Sequence, residues 1–219
     1  MKTELNRIVL ASESPQRRAI LQELGIPFDA LPVDVDEVTL GTPEATVLEN
    51  AEIKVLAALP LVPDGAFVVA ADTILFARGA ILGKPGDPAT AREYLRALSG
   101  QAIQAWSGVA VACKGHPQGS LALENATVHI RELSESEMEW YVATEEPLTR
   151  AGAFGVSRYG EVFVDRIEGA YSCVAGLPKA GMLAALSRVA CSVSLSLPSY
   201  LPRDVLGRRG QLSAFVVPV

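Results

Sequence analysis

Helices and strands alternate along most of this 219-residue chain, which predicts an α/β fold built on a mixed β-sheet. One observation is the run Phe67–Phe76, apolar apart from Asp72 and Thr73. Its length, its Val and Ile content and the turn residues around it mark a strand buried on both faces. Another is that short apolar strands run into well-marked helix starts: Ile8–Ala11 into Ser14-Pro15, and Pro27–Val33, past an acidic stretch, into Thr42-Pro43-Glu44.

Composition narrows the class. With 49% apolar and 20% charged residues the chain can bury a full core, as one large domain or two packed lobes. A net charge of −6 argues against a general nucleic-acid binder, so any basic site for an anion must be local. Cys113, Cys173 and Cys191 form neither a metal spacing nor a disulfide framework, and His116 and His129 are too few and too distant for zinc. The amino terminus lacks the apolar core of a signal peptide, and the window Val55–Ala71 is broken by Pro60, Pro63 and Asp64. The expectation is a soluble cytoplasmic protein that binds neither membrane nor nucleic acid.

Taken in order, Ile8–Ala11 is a buried strand, and Ser14 caps a helix that has Pro15 at its first position and ends at Gly25. Free N–H groups, the helix dipole, the hydroxyls of Ser12 and Ser14 and the guanidinium groups of Arg17 and Arg18 suit this start to a phosphate. Equally, Ser-Pro is an ordinary way to begin a helix. Pro27–Val33 reads as a second strand leading into the acidic Asp34–Glu37, which is either a solvated loop or a source of ligands for a hard cation. In the helix opened by Thr42, Lys54 falls on or beside the inward stripe of Val47, Ala51 and Ala58.

Asp72 is out of place in its strand, because desolvating a carboxylate costs several kcal/mol unless donors or cations compensate. The turn Ala77-Arg78-Gly79 and the return Ala80–Leu82 suggest that Lys84 supplies a compensating ammonium. Asp87-Pro88 caps a helix to about Leu98. Strands Ala105–Cys113 and Leu121–Arg131 follow, and Ser134–Glu137 is a capping box for the next helix. A loop through Pro147, a strand Val162–Ile167 and a helix from about Pro178 complete the pattern, and the tail Ser192–Val219 changes character, with several prolines and a final apolar stretch.

The stretches Leu10–Arg18, Val35–Glu37, Asn50–Lys54, Ala71–Thr73, Gly83–Pro85, Leu98–Gly100, Glu146–Leu148, Ala151–Gly155 and Gly176–Pro178 occur in the order found in the Maf family of nucleoside triphosphate pyrophosphatases. The resemblance covers about Ile8–Arg188. It implies one domain over 1–191 with the tail 192–219 outside it. The implied fold is an elongated, curved mixed sheet with flanking helices and two lobes around a cleft, like the inosine triphosphate pyrophosphatases.

It further implies hydrolysis of a nucleoside triphosphate to monophosphate and pyrophosphate by a homodimer using Mg2+ or Mn2+. Carried over residue by residue, the catalytic set is Asp72, Lys84, Lys54 and Glu37, with Asp72 and Glu37 as metal ligands. Ser12, Ser14, Arg17 and Arg18 would bind phosphate. Gln16, Thr73 and Ser157 fall at positions that separate subgroups. Members resembling the dTTP/UTP enzymes share Thr73 but have Arg at the Gln16 position and Gln at the Ser157 position. Those resembling the 7-methyl-GTP enzymes share the single-Arg spacing but have Gln and Glu at the Thr73 and Ser157 positions. The chain stands between the two, so both substrate classes stay open. A reading from a different class also stays open: a nucleotide-binding regulator of cell division that has lost hydrolysis.

Overall fold

The computed structural model describes residues 7–116, 118–192 and 211–216. Its strands form one eight-stranded mixed sheet in the order β2 (Phe28–Ala30), β1 (Ile8–Leu10), β3 (Phe67–Ala77), β5 (Ala102–Cys113), β6 (Gln118–Ile130) and β7 (Val164–Glu168), with β4 (Ala80–Leu82) on β3 and β8 (Gln211–Val216) on β6. The chain divides into two compact units, Met1–Asp72 with Ser107–Glu124 and Gly176–Val219, and Thr73–Trp106 with Asn125–Ala175.

In the first unit β1 (Ile8–Leu10) lies between β2 (Phe28–Ala30) and β3 (Phe67–Ala77), parallel to both, with Ile8 opposite Phe28 on one side and Phe67 on the other. Parallel neighbours need crossover connections. These contain α1 (Pro15–Glu23) and α2 (Pro43–Ala58), capped by the side chains of Ser14 and Thr42 as the sequence indicates. Val9, Val55, Val68, Ala70, Ala110 and Leu121 are among the residues of this unit's core. Helix α2 sits very close to β5 (Ala102–Cys113): a Cβ on Gly108 would fall 2.4 Å from the Val47 carbonyl oxygen, so only glycine lets the helix approach this far.

The sequence gives no strand in the tail, yet Gln211–Val216 forms β8, antiparallel to β6 (Gln118–Ile130), with Phe215 opposite Gly119. A Cβ on Gly119 would lie 2.1 Å from the Phe215 ring, so the aromatic side chain occupies the space that the glycine leaves empty. Residues 193–210 and 217–219 of the tail, among them Arg208-Arg209, lie outside the described residues. Helix α6 (Lys179–Ser192) begins where expected, and its Gly181 N–H donates to Glu124 at 2.7 Å.

In the second unit the end of β3 turns back as β4 (Ala80–Leu82), pairing Leu75 with Leu82. Asp87 caps α3 (Pro88–Leu98), and Ser134 with Glu137 makes the capping box of α4 (Glu135–Ala143). The core gathers Leu95, Ile103, Val128, Met138, Tyr141, Phe154 and Phe163. The strand expected over Val162–Ile167 is β7 (Val164–Glu168), because Arg158–Phe163 winds into 3-10 turns that bury Phe163. Tyr171–Val174 is a single helical turn, α5, that no sequence signal marked.

Candidate functional site

Asp72 is the buried carboxylate its surroundings suggest, only 6% exposed, and donors meet both of its oxygens. Lys54 Nζ lies 2.9 Å from Oδ1 and Asn50 Nδ2 lies 3.0 Å from Oδ2. Residues four apart share a helix face, so α2 presents the amide and the ammonium side by side. The same ammonium reaches Glu37 Oε1 at 2.6 Å, joining the acidic loop to the strand. Lys54 is thus buried between two carboxylates, and its long aliphatic stem crosses the apolar stripe without leaving the charge alone.

At the start of α1, Ser12 Oγ accepts from Ser14 N at 3.2 Å and from Arg17 Nη1 at 3.1 Å. Both hydroxyl lone pairs are taken, which leaves the Ser12 O–H as a donor. Arg17 is fixed again by Nε donating to the Gly176 carbonyl at 2.8 Å. Burial pushes the Arg17 pKa down, while the negative charges of Asp72 and Glu37 pull it back up. A desolvated guanidinium of this kind is stabilised by an anion placed against it. Ser14 Oγ accepts the Arg17 N–H as the helix cap and donates to Gln16 Oε1 at 3.2 Å, so Gln16 faces the cap. The Arg18 Nε is buried without a partner among the described residues.

Thus Ser12, Ser14, Gln16, Arg17, Arg18, Glu37, Lys54 and Asp72 all belong to the first unit. Lys84, Thr73 and Ser157 belong to the second. Lys84 is exposed and makes no ion pair among the described residues, so the ammonium on Asp72 comes from Lys54 and not from the hairpin. Thr73 is half-buried, and Ser157 is half-buried just before the 3-10 turns.

Two residues outside the predicted set emerge. Asn50 is one, and its signal was available: it lies on the inward stripe with Val47, Ala51 and Lys54. Glu146 is the other, 7% exposed, accepting from Arg150 Nη2 at 3.2 Å and from Tyr159 N at 3.1 Å. It thereby anchors the backbone just beyond Ser157.

No cluster of three or more metal-ligating side chains occurs among the described residues. Two carboxylates nevertheless converge on the Lys54 ammonium, at 2.6 and 2.9 Å. A Mg2+-like ion commonly takes one or two carboxylates and completes its shell with water and substrate phosphate. Glu37 and Asp72 fit that donor set, with the ammonium standing where positive charge is wanted.

A mixed α/β sheet with a cationic helix start and a lysine-bridged carboxylate pair suits a phosphate-handling protein. Sequence comparison makes this specific: the profile described as Maf-like protein matches residues 7–189, and the chain belongs to that family. A protein of Anaeromyxobacter sp. (strain Fw109-5) named dTTP/UTP pyrophosphatase is 41% identical over 80% of this chain and 85% of its own length. One of the same name from Syntrophus aciditrophicus (strain SB) is 36% identical over 78% of this chain and 84% of its own. Among solved structures, the Staphylococcus aureus Ham1 protein matches at 17% identity and a TM-score of 0.40, over 57% of this chain and 72% of that one, too loosely to argue from. None of the helices among the described residues is long and apolar enough to cross a membrane.

Proposed function

We propose that this protein hydrolyses a nucleoside triphosphate between the α and β phosphates, consuming one water and releasing nucleoside monophosphate, pyrophosphate and a proton. The observation that carries the reading is the buried ammonium of Lys54 on both Asp72 and Glu37, beside a helix start that offers Ser12 and Arg17. Relatives named dTTP/UTP pyrophosphatase support the reaction class and make dTTP and UTP the first substrates to try. 7-Methyl-GTP is the second, because the chain shares the single-Arg spacing around Gln16 and the Val35-Asp36-Glu37 run with those enzymes, while Ser157, with a single hydroxyl to offer a base edge, matches neither subgroup.

Water must attack a phosphorus screened by anionic oxygens, so catalysis consists mainly of positioning and charge neutralisation. The Ser12 O–H donates a hydrogen bond to a phosphate oxygen, and Arg17 and Arg18 neutralise the chain of phosphates. Lys54 holds Asp72 in place, and Asp72 orients the water and receives its proton; Lys84 enters the set from the family resemblance, as a further positive charge for the phosphates. Glu37 and Asp72 would hold Mg2+ or Mn2+, which supplies charge neutralisation and a more acidic bound water. The working form is taken to be a cytoplasmic homodimer, an expectation from the family that light scattering and fractionation check.

The test is a panel of triphosphates with Mg2+ or Mn2+, measuring pyrophosphate against orthophosphate. Pyrophosphate from dTTP, UTP or 7-methyl-GTP is the expected result, and the ranking assigns the base. Orthophosphate release would indicate cleavage at the γ position and overturn the mechanism. No release from any nucleotide would favour the regulator.

A further inference from the structure

The acidic loop that carries Glu37 has no helix or strand of its own between Leu31 and Gly41, so side chains must hold it. Asn50 does this with every hydrogen-bonding group of its amide. Its Oδ1 accepts from Val38 N at 2.7 Å, and its Nδ2 donates both to Val38 O at 3.0 Å and to Asp72 Oδ2 at 3.0 Å. The arrangement imitates a short stretch of β-ladder, with a side-chain amide in place of a second strand. It also fixes which way the amide points, since only the NH2 end can face a carbonyl and a carboxylate.

We infer that Asn50 is a positioning residue that couples docking of the Glu37 loop to the orientation of Asp72. Four residues along the same helix face, Lys54 makes the parallel connection, taking the Glu37 side chain and the other Asp72 oxygen. Helix α2 therefore grips the loop twice, once by backbone at Val38 and once by side chain at Glu37, and each grip ends on one oxygen of the same carboxylate. A loop that lifts from α2 frees the Asn50 amide to turn, and Asp72 loses one of the two donors that set its plane. Asn50 is 2% and Asp72 6% exposed, so the carboxylate finds no easy substitute in water when the amide is removed, whereas half-buried Val38 is opened to solvent.

The amide is the one side chain of this length that serves. Aspartate keeps the acceptor for Val38 N but loses both donors and sets a second negative charge against Asp72. Alanine leaves both Val38 groups unpaired. Only a carboxamide offers one acceptor and two donors at this spacing.

The inference deepens the proposed function and rests on it for its kinetic consequences, but its structural half can be tested without a substrate. In the wild-type protein, hydrogen exchange should show the Val38 amide well protected while the amides of Asp36 and Glu37 exchange at near-unprotected rates. Asn50→Ala and Asn50→Asp should each erase the Val38 protection while leaving that of β3 amides such as Val69 intact. With the best triphosphate from the panel, both variants should lose turnover by about 10²-fold, the scale of a misplaced reacting group. Their KM should move only a few-fold, since Ser12 and Arg17 remain. An unprotected Val38 amide in the wild type overturns the inference whatever the variants do, even if they fail to fold. Equal losses in kcat and affinity, or an Asn50→Ala enzyme turning over within twofold of wild type, also overturn it. If no nucleotide is hydrolysed at all, the pyrophosphatase reading fails while the exchange result still decides whether the clamp exists.

Discussion

Replacing Lys54 by methionine keeps an unbranched stem of nearly the same length and removes the ammonium between two carboxylates. The Lys54 and Asp72 side chains are 10% and 9% exposed, whereas that of Glu37 is 51% exposed. Glu37 can return to water, and an exposed pair of this kind is worth about 0–1 kcal/mol. Asp72 cannot. Among the described residues its remaining hydrogen-bond donor is the Asn50 amide, on Oδ2, while the Arg17 guanidinium still acts on it without a hydrogen bond and Oδ1 is left without a donor. Stranding a buried charge by removing its partner costs about 3–5 kcal/mol. For a chain of this size about 2–4 °C of Tm goes with each kcal/mol, so the variant should melt about 6–20 °C below wild type. Adding Asp72→Asn removes the stranded charge. The new amide turns its carbonyl toward Asn50 Nδ2, and most of the lost stability returns. Urea unfolding of the wild type, both single variants and the double variant at neutral pH closes the cycle. If Lys54→Met stays within about 1 kcal/mol of wild type, a loss no larger than an average substitution causes, the compensation argument is wrong. A double variant no more stable than Lys54→Met would refute it equally.

Other outcomes follow from the same structure. Asp72→Asn should abolish turnover yet leave nucleotide affinity unchanged or increased, because it removes negative charge near a polyphosphate; calorimetry together with pyrophosphate release checks this, and retained turnover removes Asp72 from its role. Glu137 is bound by the Arg131 guanidinium and capped by Ser134, which hold its carboxyl down to about 2 from an ordinary 4.5. A depressed carboxyl contributes stability that is present above its ordinary value and is lost as pH falls through the lowered one. An NMR titration should therefore find the Glu137 midpoint near 2, moving toward 4.5 in Arg131→Ala, and an ordinary midpoint in the wild type would contradict the assignment. Gly119→Val should expel β8, since the Phe215 ring lies 2.1 Å from the position of the new Cβ. Amide protection over Gln211–Val216 should collapse while that of β5 survives, and unchanged protection of β8 would show that the ring is not seated on the glycine.

The parts of the fold that local chemistry governs were readable directly. Ser14-Pro15, Thr42-Pro43, Asp87-Pro88 and the Ser134–Glu137 capping box each mark a helix start, because a cap is satisfied within a few residues of itself. Harder to read were Arg158–Phe163, where positive φ at Arg158 and tight turns displace the start of a strand, and the tail strand, whose pairing depends on a glycine more than ninety residues earlier.

The same division runs through the site. By itself the sequence determined that a carboxylate stands in a buried strand, that hydroxyls and guanidinium groups crowd a helix start, and that Lys54 lies on an inward face, since each follows from periodicity or capping over a few residues. Which cation meets Asp72 was decided by tertiary structure alone. The hairpin pointed to Lys84, but packing of α2 against the sheet, made possible by Gly108, places Lys54 on the carboxylate from eighteen residues away. The bond from Asn50 to Val38 was likewise out of reach, because a loop without secondary structure has no periodicity to reveal what holds it. Local patterns fix which face of an element turns inward, whereas the partner it finds there depends on how closely separate elements can approach.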